Sequence, residues 1–207
     1  EIARRSIVLL KNESLLPVDT RKFKKILVTG PNANNQSIMG DWVFEQPEKN
    51  VSTILEGIKE EASGTQINYV DVGWNMRALD SAKIEEAIQT AKSSDLAIVI
   101  VGEDSFRQHW KEKTCGENRD RMDITLWGKQ DYLVESIYKT GVPTIIILVN
   151  GRPLATGWIA ENIPAIIEAW EPGSMGGKAS AEIIFGKVNP SGKLPITIPR
   201  HVGQIST

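Results

Sequence analysis

"LAIVIVG", Leu96 to Gly102, carries no charge, and four of its seven residues are β-branched. It lacks the apolar–polar alternation of a strand with one wet face, and it is short for a buried helix. It reads as a strand buried on both faces, which is the pattern of a parallel sheet covered by helices. "KKILVTG" (Lys24–Gly30) and "VPTIIILVNG" (Val142–Gly151) repeat that pattern. "QINYVDVG" (Gln66–Gly73) alternates and predicts a further strand, as do "PAIIEAWEPG" (Pro164–Gly173) and "GKLPITIP" (Gly192–Pro199). Pro195 and Pro199 assign the last of these to a sheet edge.

Helical stretches fall between the strands. "VSTILEGIKEEAS" (Val51–Ser63) spaces Ile54, Ile58 and Ala62 along one face, with Ser52 or Thr53 as the cap. "DSAKIEEAIQTAKSSD" (Asp80–Asp95) has acids early and Lys92 late, as the helix dipole favours. "GKQDYLVESIYKTG" (Gly128–Gly141) closes on a glycine, and "GGKASAEIIFG" (Gly176–Gly186) does the same. At the start, "IARRSIVLLKN" (Ile2–Asn12) puts Ile2, Ile7 and Leu10 near one helical face and predicts a helix to that point. Strand–helix alternation of this kind predicts an α/β fold with a largely parallel sheet between helix layers, and the length suits one domain over 1–207.

The composition narrows the functional classes. Net charge is −2 with no basic tract, which speaks against nucleic acid and anionic lipid as partners. No apolar run approaches the roughly 20 residues of a membrane span. Cys115 is the one cysteine, so neither an internal disulfide nor a cysteine-based zinc site is available. His109 and His201 are isolated and form no metal-ligand spacing. "GSMGGKAS" (Gly173–Ser180) fails the phosphate-loop pattern, because Pro172 stands at the first glycine and Ala179 follows Lys178. Its glycines are read instead as letting the helix start close to the sheet. No G-x-G-x-x-G follows a strand, and Ser14, Ser105 and Ser174 lack the nucleophile-elbow setting. No cofactor is expected.

Ligands of such sheets bind where loops leave the carboxyl ends of the strands. Most connections run about 4–6 residues. The segment from Gly102 to about Leu126 is far longer and is rich in charge. Within it, Glu117 lies in "GENRDR" beside Gly116. One reading makes Glu117 part of a solvated loop with local ion pairs, worth little energetically. The other makes it a general acid/base on a mobile arm. A cation on Glu117 would favour its ionised form, whereas an acid must hold a proton, so Arg119 and Arg121 are expected to face Asp120 or Asp123. Glu103, at the end of the strand, is the rival, suited to a structural ion pair or to a ligand hydroxyl. Asp41 and Trp42 ("GDW") form either a sugar platform, with an indole face beside a carboxylate, or a loop end with a core tryptophan. Trp110 has no apolar partner at regular spacing and is expected exposed. Trp158 and Trp170 are expected to pack. Arg152, in "NGRP", is expected to clamp an acid of the long loop.

Taken in order, "RRSIVLLKNESLLPV", "GPNAN", "GDW", "VGE", "GENRDR", "NGRPL", "AIIEAWEPGSMGGKASAEIIFGKVNPSGKLPITIPR" and "GQ" closely resemble the C-terminal α/β sandwich domain of family 3 glycoside hydrolases, the β-glucosidase and β-xylosidase group. The resemblance covers nearly the whole chain and is most specific from Asn150 to Arg200. It implies a six-stranded, mostly parallel sheet in a three-layer sandwich. It also implies an active site shared with a preceding (β/α)8 barrel that holds the nucleophilic aspartate. It matches Glu117 to the acid/base, with Glu103 still open because that loop varies in the family, and it matches Trp42 to an aromatic of the aglycone subsite. The implied substrate is a β-linked glycoside with a terminal glucosyl or xylosyl unit. Bacterial relatives are usually secreted, which implies a periplasmic or extracellular setting. No stretch here matches the nucleophile motif, and "EIARRS" begins within a helix. The chain therefore reads as half of an active site, inactive alone and inclined to self-associate through its barrel-facing surface. A non-catalytic carbohydrate-binding module and a purely structural domain are the competing classes.

Overall fold

Consecutive residues of a strand point to opposite sides, so an all-apolar strand needs cover on both. A computed structural model, describing residues 1–204, supplies that cover. β1 (Val8–Asn12), β2 (Lys25–Thr29), β3 (Gln66–Val70), β4 (Leu96–Gly102), β5 (Thr144–Val149) and β6 (Ala165–Glu168) form one sheet in the order β1-β6-β5-β4-β2-β3. All neighbours are parallel except β1 and β6. Ile98, Ile100, Ile145 and Ile147 face one apolar layer, together with Ile54, Leu55 and Ile58 of α2 (Ile54–Glu61) and Ala181 and Ile184 of α6 (Gly176–Ile184). Val99, Val101, Ile146 and Leu148 face the other. That layer holds Ile84 and Ile88 of α3 (Ser81–Lys92), Leu133 and Ile137 of α4 (Gln130–Lys139) and Ile159 of α5 (Gly157–Asn162). Every residue of β4, β5 and β6 is buried.

Local chemistry sets the helix ends. Thr53 accepts from the Glu56 amide while the Glu56 carboxylate accepts from the Thr53 amide, a reciprocal capping box. Asp80 accepts from the amides of Ala82 and Lys83. Gly57 and Gly177 face each other where α2 meets α6. A Cβ on either would run into the other helix's backbone or its approach, so here the glycines set how closely two helices pack. For Gly177, the expectation that the glycines of "GSMGGKAS" let the helix start close to the sheet is corrected accordingly.

Three segments differ from the sequence reading. α1 (Ile2–Ser6) stops at Ser6, and Val8–Asn12 is strand, not helix. Leu9 packs against one apolar layer and Leu10 against the other, which period two allows and a single helical face does not. Val8 pairs with Glu168 and Leu9 with Ile167, so β1 takes the free edge of β6. β1 and β3 are the edges of the sheet, and "GKLPITIP", expected at an edge, forms no strand. Among its ties are the Gly192 amide to the Ile7 carbonyl (3.1 Å) and an apolar groove shared with Leu10 and Ile166. The helix over Gly157–Asn162 has only about one and a half turns and was not anticipated.

Candidate active site

The loops after β2, β4, β5 and β6 meet over the carboxyl rim of the sheet, and the long loop after β4 lies across them. Its root is buried. The Glu103 amide donates to the Val149 carbonyl (2.8 Å) and its side chain is sealed from solvent. Arg121 donates to Glu103 Oε1 (2.9 Å), and Arg152 lies 3.3 Å from Oε2. Burial pushes the Glu103 carboxyl above its ordinary range, and Arg152 and Arg121 oppose that shift. The Thr114 amide donates to the Asp104 carbonyl (2.6 Å) and the Asp104 amide to Thr114 Oγ1 (2.9 Å), closing the loop on itself. Asp104 also holds His109 Nδ1 at 2.6 Å, and that imidazole stacks on Trp74. Ser105 donates to Glu171, whose carboxyl burial raises against that hydrogen bond.

The tip is built on Asp41. Oδ2 accepts from the Glu117 amide (2.7 Å) and from Lys113 Nζ (3.0 Å), while Oδ1 lies 3.1 Å from Arg107 Nη2. Burial would raise this carboxyl, but the Glu117 amide, Lys113 and Arg107 outweigh it and hold it below its ordinary range. Lys113 itself is fully buried, with its ammonium over the Trp110 ring at 4.4 Å. Gly116 makes the turn between root and tip at φ +85°. A Cβ there would stand 2.5 Å from Asp41 Oδ2, so this position requires glycine. Beyond it the Glu117 side chain is 42% exposed and accepts from Arg107 Nη2 at 2.8 Å. The Arg107 guanidinium lies over the exposed Trp42 ring at 3.8 Å.

The structure thus brings Glu117, Asp41, Trp42 and Trp110 together at one surface and sets Glu103 beneath it. Asp41 is engaged three ways, so its carboxylate shapes the loop and is not free toward solvent. Trp110 is 40% exposed and Trp42 is 75% exposed. Trp158 packs against the core and Trp170 is half-buried. Arg152 clamps Glu103 and also donates to the Arg119 carbonyl (2.8 Å). The expected targets of Arg119 and Arg121 are corrected. Arg121 bonds Glu103 and the Thr125 carbonyl, and Arg119 bonds the carbonyls of Lys113 and Trp110. The loop must wrap over a buried acid, and these long side chains serve that wrap better than a neighbouring exposed acid. Arg107, Lys113 and Glu171 escaped the sequence reading, and His109, weighed there only as a metal ligand, pairs with Asp104. Arg107 and Lys113 meet Asp41 of the loop after β2, and Glu171 meets Ser105 of the loop after β4, so no spacing along the chain signals them.

Among the described residues no three His, Cys, Asp or Glu side chains form a ligand cluster, and no helix is long and apolar enough to cross a membrane. Chemically, the surface offers one accessible carboxylate next to an exposed indole, on a loop pinned at its root.

Residues 7–207 match the family described as "Glycosyl hydrolase family 3 C-terminal domain". A beta-xylosidase of Formosa agariphila is 42% identical over 214 residues, covering 99% of this chain and 28% of the relative. A periplasmic beta-glucosidase of Salmonella typhimurium is 36% identical over 226 residues, with the same coverage. The beta-glucosidase of Listeria innocua, solved in complex with glucose, superposes with a TM-score of 0.84 at 30% identity, over 98% of this chain and 26% of that one. The chain therefore spans about 28% of the length of the curated relatives named.

Proposed function

The chain belongs to the glycosyl hydrolase family 3 C-terminal domain family, and from that premise we propose that it supplies the acid/base carboxylate, Glu117, to a retaining β-glycosidase acting on terminal β-glucosyl or β-xylosyl units. The observation that carries this is the placement of Glu117: accessible, on the long loop after β4, with its backbone docked on Asp41 beside the exposed face of Trp42. Trp42 offers an apolar ring on which the C–H face of a sugar stacks on the leaving-group side, with Trp110 nearby. Glu103 serves the fold: a carboxylate sealed from solvent and gripped by two arginines is poorly placed to exchange protons with a substrate.

Retaining hydrolysis needs two carboxyl groups roughly 5–5.5 Å apart. In this reading the second is an aspartate of a (β/α)8 barrel in the same protein, so the chain by itself lacks the nucleophile. The aspartate attacks the anomeric carbon while protonated Glu117 gives its proton to the departing oxygen. Ester formation removes the aspartate's charge. Glu117, now a carboxylate, takes a proton from the water that attacks the same carbon, and the sugar leaves with retained configuration.

The test uses the full enzyme that carries this domain. Glu117→Ala is expected to lower hydrolysis of an aryl β-glycoside about 10²–10⁴-fold. Azide should restore turnover and release a β-glycosyl azide, because an anionic nucleophile needs no base. Wild-type activity in Glu117→Ala, with loss in Glu103→Gln, would move the role to Glu103.

A further inference from the structure

Arg107 touches all four residues gathered at the proposed site and has no part in the chemistry above. Its guanidinium lies 3.8 Å from the centre of the Trp42 ring and 5.2 Å from that of Trp110. Nη2 reaches Glu117 Oε2 at 2.8 Å and Asp41 Oδ1 at 3.1 Å. The grip on Glu117 is a single hydrogen bond from one nitrogen, not a two-point fork. Nε is buried and has no partner. An unmet buried donor counts against this position, so the guanidinium is held, but not deeply.

Arginine does not give up its proton. It offers Glu117 only N–H donors, so the contact engages Oε2 as an acceptor, whereas the first half-reaction needs this carboxyl to donate a proton. The contact holds Oε2 and turns the side chain toward the arginine, so opening it frees both carboxyl oxygens to face a leaving group. A leaving group reaches that point by way of Trp42, the ring against which the guanidinium rests. Asp41 also binds Arg107, so the arginine can release Glu117 without losing every carboxylate partner.

We infer that Arg107 is a positioning residue, a latch that holds Glu117 beside Trp42 and lets it go when a leaving group settles against the indole. This rests on Glu117 being the acid/base. Removing the latch helps substrates whose leaving group needs a proton and does nothing for those whose leaving group departs unaided.

The experiment compares kcat/KM of the full enzyme on two substrates, a 2,4-dinitrophenyl β-glycoside and a disaccharide with the same terminal sugar. kcat/KM reports the steps through cleavage of the glycosidic bond, so the ratio of disaccharide to dinitrophenyl values isolates the need for acid. Arg107→Met keeps an aliphatic stem over Trp42 and removes the charge. The ratio is expected to rise about two- to fivefold, the scale of one partly exposed ion pair. Arg107→Lys, which keeps the charge, should stay near the wild-type ratio. A change that only loosens the loop lowers both substrates together and leaves the ratio alone. Glu117→Ala separates the two failures, since its ratio must collapse if Glu117 is the acid. A collapsed ratio there with an unchanged or lower ratio in Arg107→Met overturns the latch alone, whereas a wild-type ratio in Glu117→Ala overturns the acid/base reading first.

Discussion

Glu103 and Glu117 sit on the same loop, each follows a glycine, and each is gripped by arginine. The Glu103 side chain is sealed from solvent, while that of Glu117 is 42% exposed. Glu103 faces two guanidinium groups, one from its own loop and one from the loop after the neighbouring strand β5. Glu117 faces a single arginine and open solvent. The root spends its charges on closing the loop, because a buried carboxylate without cations would be too costly to keep. The tip is left with a carboxylate open to solvent. Burial, more than residue type, divides the two acids, and it is the ground on which Glu117 and not Glu103 is proposed for the chemistry.

The strongest way to break this contrast is to remove Arg121. Breaking a buried ion pair on one side costs about 3–5 kcal/mol, because the other charge stays buried. Arg121→Ala should therefore lower unfolding free energy by about that much near neutral pH, less whatever Arg152 still offsets. The pH dependence has a definite sign. Burial raises the Glu103 carboxyl above its unfolded value, so the folded state keeps a proton that the unfolded state has lost, and stability falls as pH rises through that window. Losing Arg121 widens the window upward. The deficit should be smallest near about pH 4 and largest near about pH 8 in denaturant titrations. A deficit under about 1 kcal/mol at the higher pH would show that Arg152 suffices and that the root is not a two-arginine clamp.

A middling effect is expected at the joint between the regions. Gly116 holds φ +85°, and a Cβ there would stand 2.5 Å from Asp41 Oδ2 and 3.1 Å from Ser105 Cβ. Gly116→Ala should cost about 1–2 kcal/mol for the left-handed backbone alone. It should also push Asp41 off the Glu117 amide, so activity in the full enzyme should fall further than the stability loss explains. Thermal melts and kcat/KM on one variant check this together. Full activity with normal stability would mean that the tip is not seated on Asp41.

Much of the sheet was legible because its central strands are all apolar and must be covered on both faces. Val8–Asn12 was not legible. Its short apolar run fits either period, and the deciding partner, β6, lies more than 150 residues away. "GKLPITIP" has a strand's apolar residues but forms no strand, and its prolines Pro195 and Pro199 bring no N–H to a ladder. In the site, Glu117 and Trp42 could be singled out because a long charged loop and a loop tryptophan are visible in one dimension. Arg107 could not, because Asp41, Trp42 and Glu117 meet it only once two loops have folded together. The targets of Arg119 and Arg121 were misjudged because nearness in sequence stood in for burial, and the buried acid attracts the arginine more strongly than an exposed neighbour.

The smallest expected effect sharpens the contrast from the other side. Glu117→Gln keeps the side chain's shape and leaves the amide bond to Asp41 in place, so only the Arg107 ion pair is lost. Partly exposed pairs contribute about 0.2–1 kcal/mol, and the stability change should lie within that range. It should shrink as salt is added, because an exposed pair is screened, whereas the Arg121→Ala deficit should persist, because its charges are out of reach of ions. Denaturation of both variants at low and high salt makes the distinction directly. If Glu117→Gln destabilised the fold as much as Arg121→Ala, and salt did not relieve it, the tip would be holding the structure together as the root does, and Glu117 would lose its claim to be the carboxylate left free for a substrate.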